Sequence, residues 1–225
     1  MSARREQARR SPRAKPGAKR ARILEIAVER FGRDGYDETR WADIAAAVGI
    51  GSTALYHYFE SKQHCLYEIM ADASAEFRDR FATIVSPHDD WEEALVTVLR
   101  NGFDLTDWEV LRLRVLTAER ARVDVPSALP REEAARTSAR ANKRALAFAW
   151  GTFLARGMEQ GLLPERDPQL LTRALFGLYN SIWTWYRPGS ALELATVEHF
   201  FIGRELDLLG CAPELSKRVT RARAS

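Results

Sequence analysis

Apolar residues recur at three- and four-residue spacing along most of the chain, a pattern that predicts amphipathic α-helices. The first apolar stripe covers residues 23–31 and ends near Gly32. A second short helix is predicted over about 41–48, with Thr39 placed to cap its start. Gly49 then ends this helix, because glycine adopts the left-handed conformation that commonly closes a helix.

A third helix is predicted from Ser52 to Tyr58, after a turn of three residues. Leu55 and Phe59 face the same core, whereas the positions between them are mostly polar. Ser61 is placed to cap a longer fourth helix that ends before Pro87. Apolar positions continue along this fourth helix, so we expect it to bridge two domains.

Five further helices are predicted downstream, over about 90–104, 107–121, 131–160, 168–186 and 192–209. Prolines and glycines mark the breaks between them. No strand pattern competes with the helical one. The predicted fold class is all-α, with about nine helices: an N-terminal three-helix helix-turn-helix domain and a C-terminal helical domain.

Charge is distributed unevenly along the 225 residues. Residues 1–22 hold nine basic residues and one acidic residue, and the last nine residues hold four basic ones. Since the whole chain carries +3, residues 23–216 carry −9. Basic ends with few large apolar groups predict mobile tails, and a basic arm on an acidic body suits a polyanion such as DNA. A solubilising role for the tails is the alternative.

Composition excludes several classes of protein. The chain has no run of 18 apolar residues, so no membrane span is predicted. The N-terminus lacks the apolar stretch of a signal peptide, so export is not expected. Cys65 and Cys211 are two thiols far apart in sequence, which fits a reducing compartment better than a disulfide framework. The predicted location is cytoplasmic.

Two helices joined by a tight, glycine-containing turn have the spacing by which a helix projects into the major groove of DNA. Polar side chains on the third predicted helix offer donors to phosphates and base edges. Residues 18–62 hold seven basic and seven acidic residues. Much of the attraction to DNA is therefore expected from the basic arm and from helix-end dipoles.

The run from Thr39 to Lys62, TRWADIAAAVGIGSTALYHYFESK, resembles the DNA-binding signature of TetR-type (TetR/AcrR) transcriptional repressors. The matching parts are DIA at 43–45, GI at 49–50, LY at 55–56, and Phe59 followed three residues on by Lys62. The resemblance implies two domains and a DNA-binding role. With the mobile ends inferred from composition, the predicted domain division is a disordered basic arm (1–17), a helix-turn-helix domain (18–62), an effector-binding and dimerisation domain (63–210) and a basic tail (211–225).

The resemblance also assigns residues to DNA. Tyr56 and Lys62 match phosphate-contacting positions, and Ser52 and Thr53 match positions that contact bases. Arg40, Gly51 and Ala54 depart from the usual family residues, and Arg40 is expected to reach a phosphate through its guanidinium. The predicted DNA-binding residues are Arg40, Ser52, Thr53, Tyr56, His57, Tyr58 and Lys62.

The C-terminal half carries many aromatic residues at helical spacing, most of which are expected to be core. A cluster that converges with a few polar groups would instead form a small-molecule pocket. A buried Arg114 would need an anionic partner, either Glu119 or a ligand. The predicted ligand-binding residues are Phe103, Arg114, Trp150, Tyr179 and Trp183.

The segment from Trp185 to Gly189, WYRPG, resembles one found in a TetR-type subgroup that responds to lipid or sterol degradation products carried as coenzyme A thioesters. This resemblance implies a small hydrophobic effector carried as a coenzyme A thioester. An ordinary helix terminator is the alternative interpretation.

A homodimer is expected because one short recognition helix contacts too few base pairs for useful discrimination, so a palindromic operator in double-stranded DNA needs two copies. The predicted interface is formed by residues 168–186 and 192–209, as an intersubunit four-helix bundle. Its apolar faces are Leu171, Leu175, Leu178, Ile182, Leu194, Val197, Phe201 and Leu208.

An enzyme is the main competing class. The four histidines show no metal-binding spacing, GIG at 49–51 lacks the third glycine of a dinucleotide loop, and no G-x-S-x-G elbow is present. No metal, cofactor or catalytic residue is predicted. The predicted function is a ligand-responsive transcriptional repressor, and the alternative is a helical enzyme or acyl-CoA-binding protein without a DNA function.

Overall fold

A computed structural model describes residues 16–86, 90–212 and 215. Over these ranges the chain is helical and contains no strand, which confirms the predicted fold class. The nine α-helices of the described ranges are α1 (Pro16–Asp34), α2 (Trp41–Val48), α3 (Ser52–Leu55), α4 (Lys62–Val85), α5 (Trp91–Asn101), α6 (Asp107–Ala118), α7 (Pro130–Glu159), α8 (Pro168–Trp185) and α9 (Leu194–Leu209). A single 3₁₀ turn covers Arg122–Asp124.

Most helix bounds lie within two residues of the predicted ones, and α2 has the predicted bounds. The predicted third helix was too long: α3 ends at Leu55, and residues 56–58 form turns. The predicted basic arm lies outside the described residues, apart from residues 16 and 17, which begin α1. Of the predicted tail, only Cys211, Ala212 and Leu215 are described.

At the start of several helices, the side chain of a short polar residue accepts a hydrogen bond from a main-chain N–H of the first turn. Ser61 Oγ accepts from the His64 main-chain N–H at 2.9 Å, as predicted. The prediction for Thr39 was wrong, because its buried hydroxyl donates to the Gly35 carbonyl at 2.7 Å instead. Arg40 is the residue that precedes α2. The Thr39 hydroxyl therefore stabilises the turn between α1 and α2 rather than the start of α2.

Buried apolar residues form two clusters that meet along α4. The first half of α4, through Ala71, packs with α1, α2 and α3. The second half, from Phe77, packs with α5, α7, α8 and α9. Since α6 and the start of α7 also contribute to the first cluster, the helix-turn-helix segment rests on the larger bundle over a broad surface.

Two glycines permit close helix approaches within this bundle. A Cβ atom on Gly32 of α1 would lie 2.7 Å from the Leu111 Cβ atom of α6. A Cβ atom on Gly157 of α7 would overlap the indole ring of Trp91. This ring is buried, stacks on Phe153 at 5.0 Å between centroids, and donates through Nε1 to the Phe153 carbonyl at 2.9 Å. The absence of a side chain at these positions sets how closely α1, α5, α6 and α7 pack.

Candidate nucleic-acid interface and apolar cavity

The turn between α2 and α3 has the geometry of a helix-turn-helix. Gly49 lies in the left-handed region (φ 72°), and its N–H donates to the Ala46 carbonyl at 3.0 Å. The N–H of Ile50 donates to the Ala45 carbonyl at 3.0 Å, which completes the closure of α2. An L-residue with a Cβ atom is strained at this φ, so glycine here sets the angle between the two helices.

The segment from Ser52 to Tyr58 has a buried side and an exposed side. Leu55, within the segment, and Phe59, immediately after it, are fully buried in the first cluster, as predicted. Ser52, Thr53 and His57 are exposed, and the Tyr56 side chain is 56% exposed. Tyr58 is half-buried. The exposed side presents hydroxyl and imidazole groups that match phosphate oxygens and base edges, and their contact with DNA remains a prediction.

Arg40 lies beside this surface, at the start of α2. Its side chain is 80% exposed and forms two hydrogen bonds of 3.1 Å to the Asp43 carboxylate. A guanidinium has five N–H donors, so hydrogen-bonding capacity remains for a phosphate. Contact between Arg40 and a phosphate therefore stays a prediction that this geometry permits.

Lys62 is turned toward the protein interior in this structure. Its Nζ donates to the Tyr36 carbonyl at 2.7 Å and to the Thr39 carbonyl at 3.0 Å, and it lies 4.1 Å from the centroid of the Tyr36 ring. Burial lowers the pKa of Lys62 below its usual value. Its ammonium thus joins α4 to the α1–α2 turn. The predicted phosphate contact would require Nζ to leave these two carbonyls.

The N-terminus of α7 is bonded to the end of the recognition segment. The Glu60 carboxylate accepts from the main-chain N–H groups of Arg131 (2.9 Å) and Glu132 (3.0 Å). Arg131 Nη2 donates to the Tyr58 carbonyl at 2.7 Å, and Ser61 Oγ donates to the Glu132 carboxylate. Glu60 therefore caps a helix that begins 70 residues later in the chain, and no local pattern of residues predicts this contact.

An apolar cavity of about 240 Å³ lies between α4, α5, α6, α7 and α8, with a contribution from α9. Its wall is mostly aliphatic and aromatic. The polar or charged side chains in the wall are Ser74, Arg80, Asn101, Thr117, Arg120, Lys143, Tyr179, Asn180 and Glu205. A cavity of about 150 Å³ lined by apolar side chains is enough to hold benzene, so this one can hold a larger hydrophobic group.

The structure brings two of the five predicted ligand-binding residues into this wall. Trp150 and Tyr179 line the cavity, and their contact with a ligand remains a prediction. Phe103 and Trp183 do not line it. They are buried behind Tyr179, with ring centroids 5.6 and 5.4 Å from the Tyr179 ring.

Arg114 lies outside the cavity wall, and its predicted partner Glu119 is paired with Arg122 instead. Its guanidinium donates to the carbonyls of Gly32 (3.1 Å), Trp183 (3.2 Å) and Tyr186 (2.8 Å). The last two carbonyls belong to the C-terminus of α8, where unpaired helix carbonyls favour a cation. Arg114 therefore joins α1, α6 and α8 through main-chain carbonyls rather than through Glu119.

Glu205, a buried acid in the cavity wall, was not among the predicted ligand-binding residues. It lies on α9 among Ile202, Leu206 and Leu209, which are all buried. This spacing of three and four residues was the available signal, because it puts a carboxyl group on the apolar face of an amphipathic helix.

Four of the eight residues predicted for the dimer interface need a correction, whereas Leu178, Leu194, Phe201 and Leu208 are half-buried and stay a prediction. Leu171, Leu175, Ile182 and Val197 are buried within the chain, where α8 and α9 pack on the larger bundle. Other apolar residues of the same two helices are exposed, namely Leu170, Trp185 and Phe200. The predicted interface therefore still lies on α8 and α9, but on the face that carries these exposed residues. A rotation of each helix about its axis accounts for the difference.

The described residues contain no group of three His, Cys, Asp or Glu side chains that could hold a metal ion. None of the described helices is long and apolar enough to cross a membrane.

Two family models match the chain. The model described as bacterial regulatory proteins, tetR family, matches residues 23–69, and the tetracyclin repressor-like C-terminal domain matches residues 109–204. The chain is 25% identical over 188 residues to the HTH-type transcriptional repressor KstR2 of Mycolicibacterium smegmatis, covering 82% of this chain and 87% of that protein. It is 26% identical over 184 residues to KstR2 of Mycobacterium tuberculosis H37Rv, covering 80% and 87%.

Solved structures share the fold. AibR in complex with isovaleryl coenzyme A and operator DNA superposes with a TM-score of 0.70 at 21% identity, covering 86% of this chain and 100% of that one. The ketosteroid transcriptional regulator KstR2 of Mycobacterium tuberculosis superposes with a TM-score of 0.69 at 24% identity, covering 87% and 95%.

Proposed function

Because the chain belongs to the TetR family of bacterial regulatory proteins, we propose that it is a transcriptional repressor that binds a palindromic operator as a homodimer and is released by a small hydrophobic effector. The observation that carries this proposal is the exposed polar side of residues 52–58, held by buried Leu55 and Phe59 within the stretch that the family model matches. The curated relatives named as transcriptional repressors support the direction of regulation.

Two copies of the chain are needed for specific binding. A recognition helix of four residues, with the turn that follows it, reaches few base edges. The exposed Leu170, Trp185 and Phe200 on α8 and α9 favour a symmetric interface between copies. We therefore assign dimerisation to α8 and α9, with each copy presenting one helix-turn-helix to half of the operator.

The effector we propose is an acyl group carried as a coenzyme A thioester. The cavity wall is mostly apolar, which suits the acyl part. Arg120 and Lys143 border the cavity and are exposed, which suits an anionic carrier that remains outside. AibR, which shares the fold, has been solved with isovaleryl coenzyme A, and this supports the same chemical class.

The contacts of α7 supply a route from the cavity to DNA. Trp150 and Lys143 in its middle line the cavity, while Arg131 and Glu132 at its start hold Tyr58 and Glu60. If a ligand binds more tightly to one position of α7 than to another, it increases the population of that position. Because α7 contacts the recognition segment, the preferred position of that segment changes as well. Effector binding is thereby expected to change the separation of the two recognition helices in the dimer.

A gel-shift titration tests the proposal, using the DNA upstream of the protein's own gene at low and moderate salt. The double variant Tyr56→Phe/His57→Ala removes two exposed donors and is expected to weaken operator binding about thirtyfold, since each hydrogen bond contributes roughly 1 kcal/mol. Thr152→Ala, which removes an exposed hydroxyl on α7, is the matched control and should bind as wild type does. The absence of specific retardation at any salt concentration would exclude the proposed function.

The same titration separates regulation from catalysis. Nonanoyl coenzyme A is expected to release the wild-type protein from DNA without being consumed. If chromatography instead detects hydrolysis or transfer of the acyl group by the purified protein, the enzyme alternative is supported.

A further inference from the structure

Glu205 is a carboxylic acid in the buried wall of an apolar cavity. Its side chain is 1% exposed, and it borders the cavity together with Tyr179, Leu175 and Val98. Its Oε2 atom is buried and has no hydrogen-bond partner among the described residues. A polar group in this position destabilises the protein unless something within the cavity pairs with it.

Glu205 is neutral near pH 7 in this environment. Burial raises its pKa to about 8, because the charged carboxylate loses its hydration in this apolar wall. A protonated carboxyl group has one O–H donor and a carbonyl acceptor. The cavity therefore presents a hydrogen-bonding group, rather than a charge, at this point of its wall.

Two other polar groups of the wall are already paired. The Tyr179 hydroxyl donates to the Gly102 carbonyl at 2.6 Å. Arg80 is paired with the carboxylates of Glu76 and Glu109. Within the described part of the chain, Thr117 is the other buried lining residue whose side-chain oxygen lacks a partner. The free hydrogen-bonding capacity of the buried wall thus lies at Glu205 and Thr117.

Resting on the proposed function, we infer that Glu205 hydrogen-bonds a ketone or hydroxyl oxygen of the effector, so that the effector is an oxygenated acyl thioester rather than a plain fatty acyl chain. The cations that border the cavity, Arg120 and Lys143, disfavour a hydrophobic amine as the ligand. A neutral acid satisfied by a ligand oxygen leaves no charge unpaired in the apolar wall. Glu205 thus selects effectors whose acyl group carries a ketone or hydroxyl oxygen.

Calorimetric titration at about pH 6.5, where Glu205 is protonated, tests the inference. The probes are nonanoyl coenzyme A and its 4-oxo, 6-oxo and 8-oxo derivatives, which place a ketone at different depths in the cavity. Wild-type protein is expected to bind at least one oxo derivative about tenfold more tightly than nonanoyl coenzyme A. Decylammonium is the cationic probe and is expected not to bind.

Two variants identify the residue responsible. Glu205→Leu fills similar space without a donor, and should bind the preferred oxo derivative no better than nonanoyl coenzyme A. Glu205→Gln keeps both a donor and an acceptor, and should retain most of the preference. Because Glu205→Leu removes an unpartnered buried polar group, it is expected to fold, which far-ultraviolet circular dichroism verifies.

The outcomes separate this inference from the proposed function. Equal affinity of wild type for all four thioesters, with operator binding and release intact, overturns the role of Glu205 and leaves the proposed function standing. Binding of decylammonium that is lost in Glu205→Leu also overturns it, in favour of a cationic effector. Operator binding without affinity for any thioester overturns both the inference and the proposed effector class.

Discussion

The buried Glu205 carboxyl group predicts an unusual dependence of stability on pH. Burial raises its pKa from 4.5 to about 8 in the folded protein. The unfolded chain therefore releases this proton at lower pH than the folded chain does. The contribution of Glu205 to stability is fully present below about pH 4.5, and it is lost progressively as the pH rises to about 8.

The size of the effect follows from linkage. Each pKa unit corresponds to about 1.4 kcal/mol. Raising the pH from about 5 to about 8 crosses most of the interval between the two pKa values, so the free energy of unfolding should fall by roughly 3 kcal/mol through this group alone. Since the side chain is 1% exposed, solvent screening does not reduce this figure appreciably. Such a loss is a large fraction of the stability of a typical domain.

Glu205→Gln isolates the contribution of this one group, because an amide does not titrate. Urea unfolding of wild type and variant, at several pH values and equal protein concentration, gives the difference in free energy of unfolding. The variant should gain roughly 3 kcal/mol relative to wild type between about pH 5 and about pH 8. Other titrating groups cancel in the difference. Parallel pH profiles for the two proteins would refute the assignment of a neutral buried acid.

Three further predictions follow from individual contacts. Glu60→Ala removes the acceptor at the N-terminus of α7 and should lower the stability of the protein by about 1 kcal/mol in thermal melts. It should also lower the affinity for operator DNA in gel shifts, and unchanged operator affinity would argue against coupling through α7. Arg114→Met leaves three main-chain carbonyls without a donor, and should cost about 2–3 kcal/mol in urea unfolding. Its effector affinity by calorimetry should stay at the wild-type value, and a large loss there would place Arg114 back in the binding site. Gly157→Ala should cost about 1–3 kcal/mol by forcing a methyl group against Trp91, whereas Gly17→Ala, with open space around it, should not destabilise the protein in thermal melts.

Local sequence determined the helices and the helix-turn-helix. Each helix is specified by side chains three or four positions apart, and its ends by residues such as Ser61 and Gly49 that bond within one turn. The exposed and buried sides of residues 52–58 followed from the same spacing. The third helix was predicted too long because its polar pattern continues to Tyr58, while the hydrogen bonds change from helix to turn after Leu55.

Packing between helices determined which side chains stabilise the fold and which line the cavity. Arg114 lies next to apolar residues in sequence, and its partners are carbonyls on α1 and α8, which no local pattern specifies. Glu60 caps a helix that starts 70 residues away. The rotation of α8 about its axis puts Tyr179 in the cavity wall and Trp183 in the layer behind it, although both were predicted to line the pocket.

The sequence by itself determined that this chain is a bundle of helices with a DNA-binding turn near its N-terminus, because helix formation depends on neighbours within about one turn. The tertiary structure decided where the cavity lies, that an acid borders it, and that α7 joins it to the recognition segment. These features depend on distances between residues far apart in the chain. Such distances are set by how helices approach and rotate against one another, and periodicity carries no information about them.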